Sequence, residues 1–479
     1  MYYFCMFLIA ALGVFIRANV LRHNFSLWHD ECALAYNIKF RSFLGLFSPL
    51  DFNQMAPPFF TLATKVMTKI LGFREYVFRI IPFLVGCATL PAFYVLSKKV
   101  LGEKSSIVIA FALFALNTNL IKYSCEFKPY ILDVFFSIIC LIFFLNLDLK
   151  IISRKKTLLY GVLMALLPWF SLPSVFVISA GLIILLFENF KNNFAKKLLL
   201  IAPIALSLLI YLKLFILNNY SHSNYLVSFW DIAFLNKSAN SMLYVLLITF
   251  DYLFQPIRYT CIAAIFLIFS FVFMFVQKPK FAQISLLTLV LLLIASHFHL
   301  YPFASRLTLF IFPMLLLTML KPLDFISLNK KIASTLLILF YLTIFWAFPQ
   351  KVISSMFAST YDRKEYPREM TALIMEKIKP SDTIYVNNSS DADFAYYSSF
   401  YKFKNKVIQE KIRENITKEE YFKKLNALPK GRYWIFAPID FTNIEVYPWL
   451  DEWASHKKIL NEVKNDKKAH SLLLYLEIN

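Results

Sequence analysis

Long apolar runs alternate with short basic loops through residue 349, and the pattern then changes to mixed polar and apolar. Two of the runs are Ile107–Ile121 with its flanks and Leu198–Leu217. A run of roughly 18 or more apolar residues with few charges is long enough to span a bilayer. Backbone amides in hydrocarbon must bond within their own segment, so these runs predict helices. The period-2 alternation of a membrane barrel is absent. The pattern predicts about eleven transmembrane helices. They fall near 3–20, 76–97, 106–122, 129–147, 157–171, 173–188, 198–217, 259–277, 281–298, 306–320 and 332–349.

Two shorter patterns lie between the first two spans. In Pro57–Leu71, Lys65 and Lys69 share a helical face with Thr61, Thr64 and Thr68, while Phe59, Leu62, Ala63, Val66, Met67 and Ile70 form the other. That amphipathicity predicts a helix lying in the membrane interface. Cys32–Phe47 reads similarly, with Leu34, Ile38 and Leu44 opposed to Asn37, Lys39 and Arg41. The chain therefore divides into a transmembrane part, 1–349, and a tail, 350–479. In the tail, helices are predicted at Glu369–Ile378 and Lys418–Leu428, and strands at Thr383–Val386, Tyr433–Ala437 and Leu472–Leu476. Alternation of this kind predicts a small α/β domain. The fold class is a polytopic α-helical membrane protein with a small C-terminal α/β domain.

Charge sets the orientation. Lys98, Lys99 and Lys104, then Lys150, Arg154, Lys155 and Lys156, then Lys191, Lys196 and Lys197, follow alternate spans. Lys278 and Lys280, then Lys321, Lys330 and Lys331, continue the series. The intervening loops 218–258 and 299–305 are poor in Lys and Arg. Lys and Arg collect in cytoplasmic loops, so the N-terminus is inside and the tail is extracytoplasmic. The first outer loop departs from this, with Arg22, Lys39 and Arg41. Met1–Val20 lacks a basic n-region and a small-residue cleavage site, which predicts a retained first helix.

The composition agrees. The chain is 59% hydrophobic and 18% aromatic, with a formal net charge of +20, against about 45–50% apolar for a soluble protein. The positive charge fits topology and membrane lipids, and no nucleic-acid motif accompanies it. No pair of the six cysteines has metal-ligand spacing, and nothing in the sequence supports a divalent ion. Neither a G-x-G-x-x-G nor a P-loop occurs, so no nucleotide site is expected.

The chemistry-bearing residues lie at helix ends on the outer face. Asp30 and Glu31 follow the first span in Leu27-Trp28-His29-Asp30-Glu31. Glu126 and Lys128 sit in Tyr123-Ser124-Cys125-Glu126-Phe127-Lys128-Pro129-Tyr130, and Asp133 begins the next helix. Arg306 ends Tyr301-Pro302-Phe303-Ala304-Ser305-Arg306. Singly, the acids read as solvated helix caps, and Arg306 as a snorkelling side chain. Together they offer carboxylates whose pKa an apolar boundary would raise, as a general base needs. Beside them are cations that can hold phosphate. His297 and His299 on the same face are metal ligands, proton carriers or interfacial side chains.

These stretches resemble the GT-C superfamily of membrane glycosyltransferases. They are most similar to bacterial members of glycosyltransferase family 39, the protein O-mannosyltransferase and lipid A aminoarabinose transferase group. Trp28-His29-Asp30-Glu31-Cys32 is like the family's D-E pair. Met55-Ala56-Pro57-Pro58-Phe59-Phe60, Leu71-Gly72 and Phe78-Arg79-Ile80-Ile81-Pro82 are like H-P-P-L-Y…F-G…R-L-P. Tyr123–Tyr130 is like Y-S-Q-E-A-R-x-Y, and Tyr301–Arg306 with Leu309, Phe310 and Pro313 completes the set. Lys128 stands where Arg is frequent, and Ala56 where His is.

The resemblance implies an inverting transfer of a sugar from a polyprenyl-phosphate donor to a hydroxyl of a glycan, lipid or protein acceptor. It implies Asp30 as catalytic base, with Glu31 and Glu126 positioning base or acceptor. Arg306 and Lys128 would hold the donor phosphate, and His29, Tyr130 and Tyr301 would line the substrate site. The implied setting is a bacterial cell membrane, with membrane lipids as partners and no nucleic acid. A secondary transporter or a noncatalytic scaffold are the alternatives, although a transporter would place its acids near the midplane. Cys32 and Cys125, each beside a motif acid, are either a disulfide joining two outer loops or two unpaired small residues.

Overall fold

A computed structural model describes residues 1–479 except 189–192, 218–226, 236–237, 256–258, 326–330, 362–364, 388–389, 410–415, 439–445, 467–470 and 479. The basic residues Lys191 and Lys330 lie outside the described residues. The chain starts with α1 (Tyr2–Arg22), α2 (His29–Phe40), α3 (Pro58–Leu71) and α4 (Glu75–Val100). Next come α5 (Lys104–Ala115), α6 (Thr118–Ser124), α7 (Tyr130–Asn146), α8 (Arg154–Leu166), α9 (Ser174–Phe187) and α10 (Phe194–Tyr211). The bundle continues with α11 (Ala239–Phe254), α12 (Thr260–Gln277), α13 (Pro279–His297) and α14 (Phe312–Leu320), and ends with α15 (Lys331–Ile344) and α16 (Phe348–Met356). This is a multi-pass membrane protein.

Among the described residues, six helical segments are long and apolar enough to cross a bilayer, or eight if each of two bent pairs is one span. The expected count of about eleven also includes shorter apolar helices and broken ones. The spans near 129–147 and 173–188 are α7 and α9, which are apolar but only 17 and 14 residues long. The span near 106–122 is broken by 51° between α5 and α6. There Asn117 caps α6 by accepting from Leu120 N, and its amide donates to Leu253 O. A side chain that bonds the chain's own amide competes with continuation of the preceding helix. The span near 157–171 leaves α-helical geometry at Leu167–Trp169, where Pro168 cannot donate to the ladder.

The expected loop 218–258 contains the helix α11. It is 16 residues long, short of a span. Thr249 bonds Phe303 O and Thr260 bonds Asp251, so its C-terminal half is tied to the 303 turn and to the start of α12.

Segment Ser305–Phe325 forms the bundle's centre. It starts as a 3-10 helix (Ser305–Ile311) and passes into α14, all of whose residues are buried. A spanning segment without a lipid face is fixed by protein on every side, which gives Arg306 at its start a rigid base. Helix α4 shows the bundle's polarity. Its 26 residues extend about 39 Å at 1.5 Å per residue. Its first turns carry Arg79, and its last residues meet Lys321, which donates to Val100 O and pairs with Asp324 at 2.7 Å. The basic loops and the candidate site therefore lie at opposite ends.

The C-terminal sheet has the order β2-β1-β3-β5-β4. Its strands are β1 (Thr383–Val386), β2 (Lys406–Gln409), β3 (Gly431–Ala437), β4 (Lys458–Asp466) and β5 (Ser471–Ile478). Strands β2, β1 and β3 are parallel, and β5 is antiparallel to β3 and β4. Strand alternation divides the core. Ile384, Val386, Trp434 and Phe436 pack with α17 (Pro367–Lys377) and α18 (Asp391–Ser398). Tyr385, Tyr433 and Ile435 pack with α19 (Lys418–Asn426) and α20 (Val446–Ser455). The expected strands and helices are found. The two missed strands, β2 and β4, are the sheet's edges, and each begins on an exposed lysine, a residue that guards an edge against further pairing.

Close helix packing makes one prediction. A Cβ on Gly161 of α8 would lie 2.7 Å from Leu200 O and 2.9 Å from Leu199 O of α10, a small-residue contact common between membrane helices. Gly161→Val must force these helices apart, costing about 1–3 kcal/mol. A lowered midpoint in thermal unfolding of the purified protein is the expected result.

Candidate active site

The turn after α1 feeds α2, whose first turn carries Asp30 and Glu31, where carboxylates favour the helix dipole. Glu31 is fully buried. It accepts from Arg79 Nε at 2.9 Å and Nη2 at 2.5 Å, from Phe127 N at 2.5 Å, and from Trp28 N at 3.3 Å. Arg79 also donates to Phe25 O and Ser26 O. One carboxylate thus joins α2, α4 and the 125–129 loop. Glu31 and Arg79 position the site and are withdrawn from its surface.

Asp30 faces the other way. Its Oδ2 lies 3.4 Å from Lys128 Nζ and 3.3 Å from Arg306 Nη2. Three separate chain segments therefore meet at one carboxylate. Burial would raise the Asp30 pKa, but Lys128 and then Arg306 outweigh it and hold the carboxyl at about 2. This corrects the expectation of a raised pKa, because the two cations favour the charged form more than the apolar boundary opposes it. Burial lowers the Lys128 pKa, with partial compensation from Asp30. Lys128 also donates to Gln54 at 2.9 Å.

Arg306 lies among three rings, with its Cζ 5.5 Å from the Trp28 centroid, 5.6 Å from Tyr130 and 5.5 Å from Trp230. Its Nε is buried without a hydrogen-bond partner among the described residues. A buried unsatisfied donor costs about 1–3 kcal/mol, and a bound acceptor such as a phosphate oxygen would satisfy it. Trp230 was missed because nothing in its local sequence marks it. Trp28 sits inside a noted motif and Gln54 just outside one.

The other expected residues fall around this centre. Glu126 sits behind it, 3.8 Å from Lys122 and lining a cavity of about 30 Å³ with Trp28, Glu31 and Arg79. Tyr301 donates to Leu307 O and braces the 3-10 turn that carries Arg306. Asp133 is buried in α7 beside Ser171. His297 pairs with Leu235 O, and His299 meets the Phe234 ring at 4.8 Å, so both hold the 230–235 segment. Cys32 and Cys125 are free thiols that donate to Leu27 O and Arg17 O respectively, so the disulfide alternative does not hold. Among the described residues, no group of three His, Cys, Asp or Glu side chains is placed to hold a metal ion.

His29 turns toward the C-terminal unit. Its Nδ1 lies 3.0 Å from Asp393 Oδ2 of α18, and its backbone N donates to Glu365. Leu27 N donates to Tyr397, and Ser26 to Glu369. The unit therefore grips the turn that presents Asp30. Burial would lower the His29 pKa, but Asp393 outweighs it and lifts the imidazolium to about 9.

Two outcomes follow. Glu31→Gln removes the charge partner of a buried arginine and should destabilise the protein by about 3–5 kcal/mol in thermal unfolding. The His29 pKa is raised above its unfolded value of about 6.5, so its stabilisation is complete below that pH and is lost as pH rises through about 9. Thermal stability should fall across that window, and Asp393→Asn should flatten the fall.

No family model and no curated protein matches the sequence. Solved structures do. The apo structure of ArnT from Cupriavidus metallidurans aligns over 98% of this chain and 97% of its own, with a TM-score of 0.57 and 11% identity. The same protein bound to undecaprenyl phosphate aligns with equal coverage and TM-score at 12% identity. An oligosaccharyltransferase from Archaeoglobus fulgidus aligns over 85% of this chain and 62% of its own, with a TM-score of 0.45 and 13% identity. Over nearly its whole length, then, this chain shares the fold of ArnT, a likeness of architecture at 11–12% identity.

Proposed function

We propose that the protein is an inverting glycosyltransferase that moves a sugar from a polyprenyl-phosphate donor to a hydroxyl acceptor. The observation that carries this reading is the convergence of Asp30, Lys128 and Arg306 within 3.4 Å contacts. A fold shared with a protein solved with bound undecaprenyl phosphate adds support. The positive-inside pattern favours placing the site, and residues 350–479 beside it, on the extracytoplasmic face.

In this reading Arg306 and Lys128 bind the donor phosphate. Arg306 supplies a planar fork and Lys128 a point charge. The acceptor oxygen attacks the anomeric carbon, the bond from that carbon to the phosphate oxygen breaks, and the electron pair leaves on the phosphate. Asp30 takes the acceptor's proton. Without ligand its basicity is suppressed by two cations. A bound phosphate shares those cations, so donor binding raises the basicity of Asp30. The acceptor hydroxyl also becomes acidic only as its bond to carbon forms, which suits a base of low pKa. Tyr130 and Trp28 flank the guanidinium and limit its motion.

Asp30→Asn tests the assignment. Removing a general base costs typically 10²–10⁴ in rate, while the Glu31–Arg79 pair that holds the fold is untouched. Cells lacking the protein should lose one sugar from a surface glycan, lipid or protein by mass analysis. The wild-type chain should restore it, and Asp30→Asn, present at equal level in the membrane, should not. Restoration by Asp30→Asn refutes the assignment.

A further inference from the structure

Helix α3 is amphipathic in the opposite sense from a helix of a soluble protein. Its polar face is buried: Thr61, Thr64 and Thr68 bond backbone carbonyls within the helix, and Lys65 Nζ donates to Ile38 O at 2.6 Å. Its apolar face is open, with Ile70 69% exposed and Val66 and Leu71 beside it. A helix that turns its threonines inward and its aliphatic side chains outward is facing lipid.

That face continues beyond α3. Lys69 Nζ lies 4.6 Å from the Phe43 ring, and Phe40, Phe43 and Leu44 are exposed, Leu44 at 82%. Lys39, next to Phe40, stands 3.3 Å over the Phe400 ring and donates to Ser399. Phe400 and Tyr401 are exposed too. The apolar band thus runs from the helices onto the turn after α18, in the C-terminal unit. Aromatic side chains flanked by lysine are the side chains that settle at the headgroup level of a bilayer.

The same turn forms one wall of a cleft. It encloses about 390 Å³ between the end of α17 and residues 401–405. Met375, Ile378 and Phe403 give it apolar walls, and Lys402 and Lys404 line it with charge. Asn405 holds the turn by donating to Lys379 O and Asp382 O. Within 375–382 and 399–409 the sequence carries five lysines (377, 379, 402, 404 and 406) and two acids, Glu376 and Asp382, and the Asp382 carboxylate is taken by Lys379 N and Tyr475. We propose that this cleft binds the phosphate-bearing headgroup of an anionic membrane lipid, and that the 399–405 turn rests on the bilayer surface. The lysines meet the phosphate, the apolar walls meet the glycerol and first acyl carbons, and Phe400 and Tyr401 enter the headgroup layer. An apolar-walled cleft next to a lipid-facing band fits a lipid better than a free ion. The inference is independent of sugar transfer and stands or falls separately from it.

The test uses the full chain in nanodiscs of phosphatidylcholine, alone or with phosphatidylglycerol, read by hydrogen exchange over 399–409. Phosphatidylglycerol should slow exchange there, and Lys402→Glu with Lys404→Glu should abolish the difference. Each lysine lost should weaken the effect roughly fivefold, as expected for a charge near an anionic surface. Lys423→Glu on α19, which packs on the opposite face of the sheet, should leave the effect intact. Equal protection in both lipids would overturn the proposal. So would equal protection by inorganic phosphate in phosphatidylcholine discs, which would mark a soluble-phosphate site. Loss of the effect in Lys423→Glu would reduce it to bulk charge and overturn it as well.

Discussion

The Glu31 carboxylate is buried at the point where three parts of the chain meet, and it is paired with Arg79 and the Phe127 amide. Burying two ions is costly unless every remaining lone pair and proton finds a partner. Here the guanidinium also reaches Phe25 O and Ser26 O, and the carboxylate also takes Trp28 N. That completeness makes the arrangement hard to shift. Asp30 is the residue before Glu31, and Lys128 the residue after Phe127. Fixing Glu31 to Phe127 therefore fixes the separation between the candidate base and one candidate phosphate ligand. Arg306 reaches the same point from a different base, the fully buried segment leading into α14.

The electrostatics of the centre follow from this geometry. A carboxylate with two cations inside 3.5 Å is a weak base until something competes for the cations. In the proposed reaction a phosphate would be such a competitor, arriving with the donor. Without ligand the cluster of one carboxylate and two cations carries a net charge of +1, and in the proposed reaction donor entry would free the carboxylate for the acceptor. In that reaction the order of binding would follow from charge, with no moving part required.

Much of this was legible in the sequence, for physical reasons that differ by residue. The Asp30–Glu31 pair, the Glu126–Lys128 pair and Arg306 stood out because charges are rare in apolar runs, and all are found at one end of the bundle. Which acid does what was not legible. Glu31 and Asp30 are neighbours with similar chemistry, and a helix turn sends one inward to Arg79 and the other to Lys128. Trp230 and Asp393 were invisible because their partners lie about 76 and 364 residues away, and no local period encodes such a contact. The helix breaks at Asn117 and Pro168 were not legible, since hydropathy reads length and does not read capping. The edge strands β2 and β4 were not legible for another reason: their polar, lysine-led sequences suppress the alternation that marks a strand.

The C-terminal unit binds these points together. Its helix α18 packs on α2 and supplies Asp393 to His29, the residue immediately before Asp30. Its Tyr397 and the neighbouring Glu369 hold the backbone and side chain of the turn leading to α2. The first turn of α2 is thus held from the bundle side by Arg79 and from the sheet side by Asp393. A short helix lying across the end of a bundle has few neighbours of its own, and without a second wall its N-terminus would be free to fray. The α/β unit supplies that wall. A sheet with no chemistry of its own at this point is in that sense part of the site, because it restricts where Asp30 can be.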